Sequence, residues 1–206
     1  MLLLLGAGAL NAQTDDLLDT VARLDVCFDF GCKSSERVYL FEEEWREVAS
    51  VLHGSTTPDE ERYRIAQAVG AMERLVGAVT PTDVDRGSNA FEGEDPAGQM
   101  DCIDESTNTT AYLKLFQSQG LLRFHTVLER AYRAPALLDQ HWAAQVEETG
   151  TGRRFAVDSW YRDNGEPAVV QSLEHWHQKR PPPPVPSPAA AFRQVVMDAG
   201  VRPPAR

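Results

Sequence analysis

Positive charge is scarce in this chain: 20 Lys and Arg stand against 31 Asp and Glu, a formal net charge of −11 over 206 residues. Binding to phosphate backbones needs clustered Lys and Arg, so no nucleic-acid partner is expected. Long apolar runs are also missing. The run that opens at Met1 ends by Ala12, short of the roughly 20 residues that span a bilayer, so the chain is not read as an integral membrane protein. Cysteine is sparse, with three in all, too few for a small disulfide-dense scaffold. No internal repeat is visible. What is present is ordinary for a globular domain with a real core: 42% hydrophobic and 25% charged residues.

Residues 1–12 read as an export signal. Met1-Leu2-Leu3-Leu4-Leu5 leads an apolar run, and Ala12 offers a small residue before Gln13. A single domain then covers 13–180, and a Pro-rich tail covers 181–206. Within the tail, Pro181 to Pro184 must be extended, and a spacer is the simplest role. Export to the periplasm or beyond gives the cysteines meaning. Cys27 and Cys32 close a short loop through Gly31 and are expected to pair in an oxidising compartment, leaving Cys102 free. Four residues separate the pair, not the two of a redox motif.

Periodicity predicts helices over Thr14 to Leu24 (Leu17, Leu18, Val21, Leu24) and from Ser34 or Ser35 to Gly54 (Val38, Phe41, Trp45, Val48, Leu52). Thr57-Pro58-Asp59-Glu60 is a helix start with a capping box, and Pro81 ends that helix. A polar, Gly-rich loop follows to Met100. A further helix is expected from Cys102 to Gln119, with Ile103, Thr107, Ala111 and Leu115 as its modest apolar face. Strands are expected over Leu122 to Arg130, Gln140 to Glu147 and Arg153 to Trp160, the last two joined by Thr149-Gly150-Thr151-Gly152. The fold class is α+β: N-terminal helices and a nucleophile helix packed on a small antiparallel sheet.

A hairpin centred between Thr149 and Gly150 sets His141 opposite Asp158 and Ala143 opposite Ala156. Trp142, Ala144, Val146, Phe155 and Val157 then form the other, core face. The two alanines leave room on the His face, and the helix headed by Cys102 is the natural element to fill it. A helix N-terminus favours a thiolate and can hold an oxyanion. Cys102 as nucleophile, His141 as base and Asp158 as orienting acid make a triad. Each residue alone has a blander explanation: a small buried hydrophobe, a satisfied polar side chain, a turn residue. His175-Trp176-His177 would place two imidazoles on one strand face, too few for a metal site. Asn108-Thr109-Thr110 matches the glycosylation sequon but falls inside the expected helix. Nothing calls for a cofactor.

At Asp101-Cys102-Ile103-Asp104, His141-Trp142-Ala143-Ala144 and Phe155-Ala156-Val157-Asp158 the chain resembles the bacterial transglutaminase-like cysteine proteinases, within the wider papain-like and transglutaminase-like group. The resemblance covers roughly residues 57 to 165. Met100 stands where that pattern has Gly, and Asp101 adds an acid beside the thiol. The resemblance implies a transglutaminase-like fold and thiol-dependent hydrolysis or acyl transfer at a peptide or protein amide, with Cys102, His141 and Asp158 in the roles above. Gln99 is the residue placed to donate to an oxyanion. The other reading is a non-catalytic binding or assembly module on the same fold.

Overall fold

The computed structural model describes residues 20–89, 97–134 and 139–180; the expected export signal and Pro-rich tail lie outside them. Two antiparallel sheets and four α-helices make an α+β fold among these residues. Strands β1 (Thr20–Phe28) and β2 (Ser34–Phe41) form a hairpin. Helices α1 (Glu42–Leu52), α2 (Pro58–Gly77) and α3 (Cys102–Ser118) follow, with a 3-10 turn at Pro81–Val84 between the last two. Strands β3 (His125–Arg133), β4 (His141–Glu148), β5 (Arg154–Asp158) and β6 (Val169–Ser172) meander in chain order, and the short α4 (Leu173–His177) closes the described chain. No described helix is long and apolar enough to cross a membrane.

The N-terminal region departs from the expected helices. Thr20–Phe28 and Ser34–Phe41 are strands, joined by a tight turn. The expected Cys27–Cys32 disulfide is present. It spans a reversal in which Asp29, Phe30, Gly31 and Cys32 all have positive φ (65°, 64°, 72° and 57°). Such a turn sends the second segment back along the first, and each strand then satisfies the other's backbone groups. The apolar residues alternate accordingly: Val26, Phe28, Val38 and Leu40 are buried. The helical stripe was real only from Trp45 onward. Phe41 is 38% exposed, and the helix starts at Glu42, where three glutamates meet the positive end of the helix dipole.

Helix α2 begins as expected, with the Glu60 N–H donating to Thr57 Oγ1 at 3.2 Å and Pro58 in the first turn. The Glu60 carboxylate reaches one residue further than a capping box does, accepting the Thr56 N–H at 2.6 Å. Ile65, Val69, Met72 and Val76 are buried and pack with Trp45 and Val48 of α1, Leu113 and Phe116 of α3, and Val146 and Val157 of the sheet. Gly70 lies on this helix where a Cβ would sit 2.6 Å from the Glu166 carbonyl oxygen. Alanine is worth about 1 kcal/mol over glycine inside a helix, but backbone overlap costs about 1–3 kcal/mol. Gly70→Ala is therefore expected to destabilise, as a lower urea midpoint at unchanged slope.

The β4–β5 hairpin is shifted by two residues from the expected register. Ala144 pairs with Val157, Gln145 with Ala156 and Glu147 with Arg154, because the loop takes 149–152 and closes with the Glu148 N–H on Arg153 O at 2.8 Å. Asp158 is thus diagonal to His141 rather than opposite it. A shift of two keeps every side chain on its expected face. The sheet face assigned to α3 is corrected too. α3 packs on the side of Ala144, Val146, Phe155 and Val157. The space over Ala143 and Ala156 is filled by Trp176 of α4, which is wholly buried there with Ala131.

Candidate active site

Cys102 is the first residue of α3. Asp101 caps the helix, its Oδ1 accepting the Ile103 and Asp104 N–H groups at 2.9 and 3.0 Å, while Asp104 Oδ2 accepts the Asp101 N–H at 3.2 Å. The acid beside the thiol is therefore engaged with the helix end. The thiol is half-buried and lines a cavity of about 370 Å³ with Ile103, His141, Trp142 and Trp160. The helix comes from the core face, so thiol and imidazole meet at the end of the sheet, where β4 begins.

His141 is 4% exposed. Its Nε2 bonds Asp158 Oδ2 at 2.8 Å, which leaves Nδ1 for the thiol. The same carboxylate oxygen accepts the Trp176 indole N–H at 2.7 Å. Trp160, Trp176 and Tyr161 surround the imidazole, with ring centroids at 4.7, 5.7 and 5.8 Å. Burial among them pushes the imidazole pKa down. The hydrogen bonds with Asp158 and Cys102, and the charges on both, more than offset this and raise it to about 9. The ring is thus held as an imidazolium at neutral pH, next to the sulfur.

A cluster of buried carboxyls lies behind the triad. Ser159, the residue after Asp158, donates to Glu105 of α3 and shares a 2.9 Å bond with Thr109 of the same helix. Asp85 accepts the Met100 N–H at 2.6 Å and hydrogen-bonds Glu105. Glu73 of α2 accepts the Gly165 N–H at 3.0 Å. Burial pushes Glu73, Asp85 and Glu105 well above the usual carboxylate range, with added repulsion from Asp85 on Glu73, from Glu73 and Asp85 on Glu105, and from Asp104 and Asp163 on Asp85. Through these bonds they bridge α2, α3 and the end of β5, and so fix the helix that carries Cys102 against the strand that carries Asp158.

Gln99 does not line the Cys102 cavity among the described residues. Its Oε1 accepts from Asn89 Nδ2 at 2.6 Å and from the Arg86 N–H at 3.2 Å, and its Nε2 donates to Val84 O at 2.6 Å. These bonds make it a brace for the 84–89 loop, and they correct its expected place at an oxyanion. His175 and His177 lie on helix α4, not on a strand, and at that spacing they do not share a face. Asn108 is buried, with its amide bonded to both the N–H and the C=O of Cys27 at 2.8 Å, so the sequon has no room for a glycan. The expected apolar face of α3 also needs correcting: Ile103, Thr107 and Ala111 are only half-buried, while Asp104, Glu105, Asn108 and Thr109 are buried.

Sequence reasoning missed Trp176 as the second donor to Asp158 and Ser159 as the link to α3. A lone tryptophan ahead of a Pro-rich run was the only visible trace of the first. Comparison with family models, curated proteins and solved structures gives no match.

Proposed function

We propose that this protein is an exported thiol-dependent amide hydrolase or acyltransferase of the transglutaminase-like kind, acting on a peptide or protein amide. The observation that carries the reading is the buried His141, bonded through Nε2 to Asp158 and interacting with Cys102. In the reaction, the Cys102 sulfur, its proton passed to His141 Nδ1, attacks the amide carbon. The carbonyl oxygen takes the negative charge. The Asp101 cap occupies the Ile103 and Asp104 N–H groups, so the Cys102 N–H is the first-turn donor left for that oxyanion among the described residues. The imidazolium then protonates the leaving amine, the C–N bond breaks and a thioester remains. Water or a second amine, deprotonated by His141, releases the acyl group and restores the thiol. The Cys27–Cys32 disulfide supports an oxidising compartment such as the periplasm or the cell exterior.

The test is alkylation of the oxidised protein by iodoacetamide at pH 6, followed by mass spectrometry. Cys102 is expected to react about tenfold or more faster than glutathione, because a free thiol is almost wholly protonated there. Cys102→Ala should remove the label, and His141→Ala should bring the rate down to that of glutathione. A wild-type rate no greater than that of glutathione sinks the reading and leaves a non-catalytic binding module on this fold.

A further inference from the structure

Arg133 lies on β3 as the direct cross-strand partner of His141. It is 7% exposed and lines the cavity that holds Cys102. Its guanidinium stacks on the Trp176 ring, 4.5 Å from the centroid. Nη1 donates to the Trp176 carbonyl and Nη2 to Tyr161 Oη, the latter at 2.8 Å. Both acceptors are neutral. Nε is buried and has no acceptor. No carboxylate lies within 4 Å of this cation among the described residues, although the buried Arg62 is paired with Glu148 and the exposed Arg153 and Arg154 each have a glutamate. Asp139, on the same cavity wall, is paired with Lys179. Asp101 is engaged with the helix end. A buried guanidinium is unfavourable unless paired, and its planar fork matches a carboxylate.

We infer that Arg133 is the subsite for a carboxylate of the acyl donor, so that the cleft selects an acidic group close to the amide it attacks. The inference rests on the proposed thiol chemistry. The carboxylate can belong to an Asp or Glu side chain or to the end of a peptide chain. It neutralises the guanidinium as it enters, and because Arg133 and His141 both pack on Trp176, at 4.5 and 5.7 Å from its ring centroid, it is held on the imidazole's side of the cleft.

Two measurements on the full chain test this. In the first, Cys102 is alkylated at pH 6 by iodoacetate and by iodoacetamide, which share the iodomethyl group and differ in carrying a carboxylate or a neutral amide. The rate ratio of anionic to neutral reagent is expected to fall about tenfold in Arg133→Gln, with His141 intact and the thermal midpoint checked in parallel. In the second, which needs only the wild type, peptides protect Cys102 from iodoacetamide. The probes are Ac-Ala-Glu-Ala-NH2, Ac-Ala-Gln-Ala-NH2, Ala-Ala-Ala and Ala-Ala-Ala-NH2. Stronger protection by the Glu peptide than by its Gln twin assigns the subsite to an acidic side chain. Stronger protection by the free acid than by its amide assigns it to a chain end. Equal protection within both pairs overturns the inference even if Arg133→Gln does not fold. Failure of the thiol chemistry is distinguishable, since Cys102 would then show no rapid alkylation by either reagent.

Discussion

Asp158→Ala is expected to lower the folding stability by about 3–5 kcal/mol, the usual cost of removing one partner of a buried ion pair. Two donors lose one acceptor: His141 Nε2 and the Trp176 indole N–H both meet Asp158 Oδ2. Neither can turn to water, since His141 is 4% exposed and Trp176 wholly buried. Urea unfolding at pH 7 measures the loss. The pH dependence isolates its cause. The folded pKa of His141, about 9, lies above the roughly 6.5 of a free imidazole. The stability it confers is complete below pH 6.5 and is lost as pH rises through 9. Asp158→Asn keeps the shape of the side chain but removes its charge, and should flatten the fall in stability between those two values. An unchanged slope in Asp158→Asn would show that the histidine owes its proton to something else.

The second large effect comes from the carboxyls beneath the triad. Glu73 is raised to about 8 and Asp85 to about 7, in both cases by burial first. Folding therefore takes up protons between about pH 4 and pH 8, and stability falls as pH rises across that window. Glu148 runs the other way. Burial pushes it up, but Thr151, Arg62 and Arg153 more than compensate and hold it at about 2. Its contribution is present above the normal glutamate range and is lost as pH falls through 2. The maximum of stability should then lie at about pH 4, well below the neutral range. Glu73→Gln keeps an acceptor for the Gly165 N–H and removes a charge that has no place in the core. It is expected to stabilise by on the order of 2 kcal/mol at pH 8 and to have little effect at pH 5. A variant less stable than wild type at pH 8 would mean that the Glu73 carboxyl is needed in its charged form.

How much of this was legible in the sequence depended on the range of the interaction. Helix α2 and the start of α3 were written locally, by Thr57-Pro58 and by Asp101 ahead of Cys102, because caps act within one turn. The face shared by His141 and Asp158 was legible from alternation, and it survived an error of two in register because strand parity did. The β1–β2 hairpin was not legible. Leu24, Val38 and Trp45 fit a helical spacing as well as a strand one, and what decided between them was a turn with four left-handed residues that only one glycine announced. Partners far apart in sequence were out of reach as well. The buried Glu61–His125 and Arg62–Glu148 pairs span 64 and 86 residues, and the Trp176 bond to Asp158 depends on a helix too short to show a period.

That left-handed turn also bears on how the helix headed by Cys102 comes to be held. The Asp29 N–H donates to Gln99 O at 2.9 Å, and the Gly98 N–H returns to Asp29 Oδ1 at 2.9 Å. The Cys32 N–H donates to Asp104 at 2.5 Å, and Cys27 grips Asn108. Residues that seldom adopt positive φ pay a conformational penalty there, and the sulfur–sulfur tether keeps them in it. The anchoring of the N-terminal end of α3 is in this way tied to oxidation of the turn packed against it. If the chain is exported as proposed, a copy still in a reducing compartment would hold Cys102 on a less firmly anchored helix.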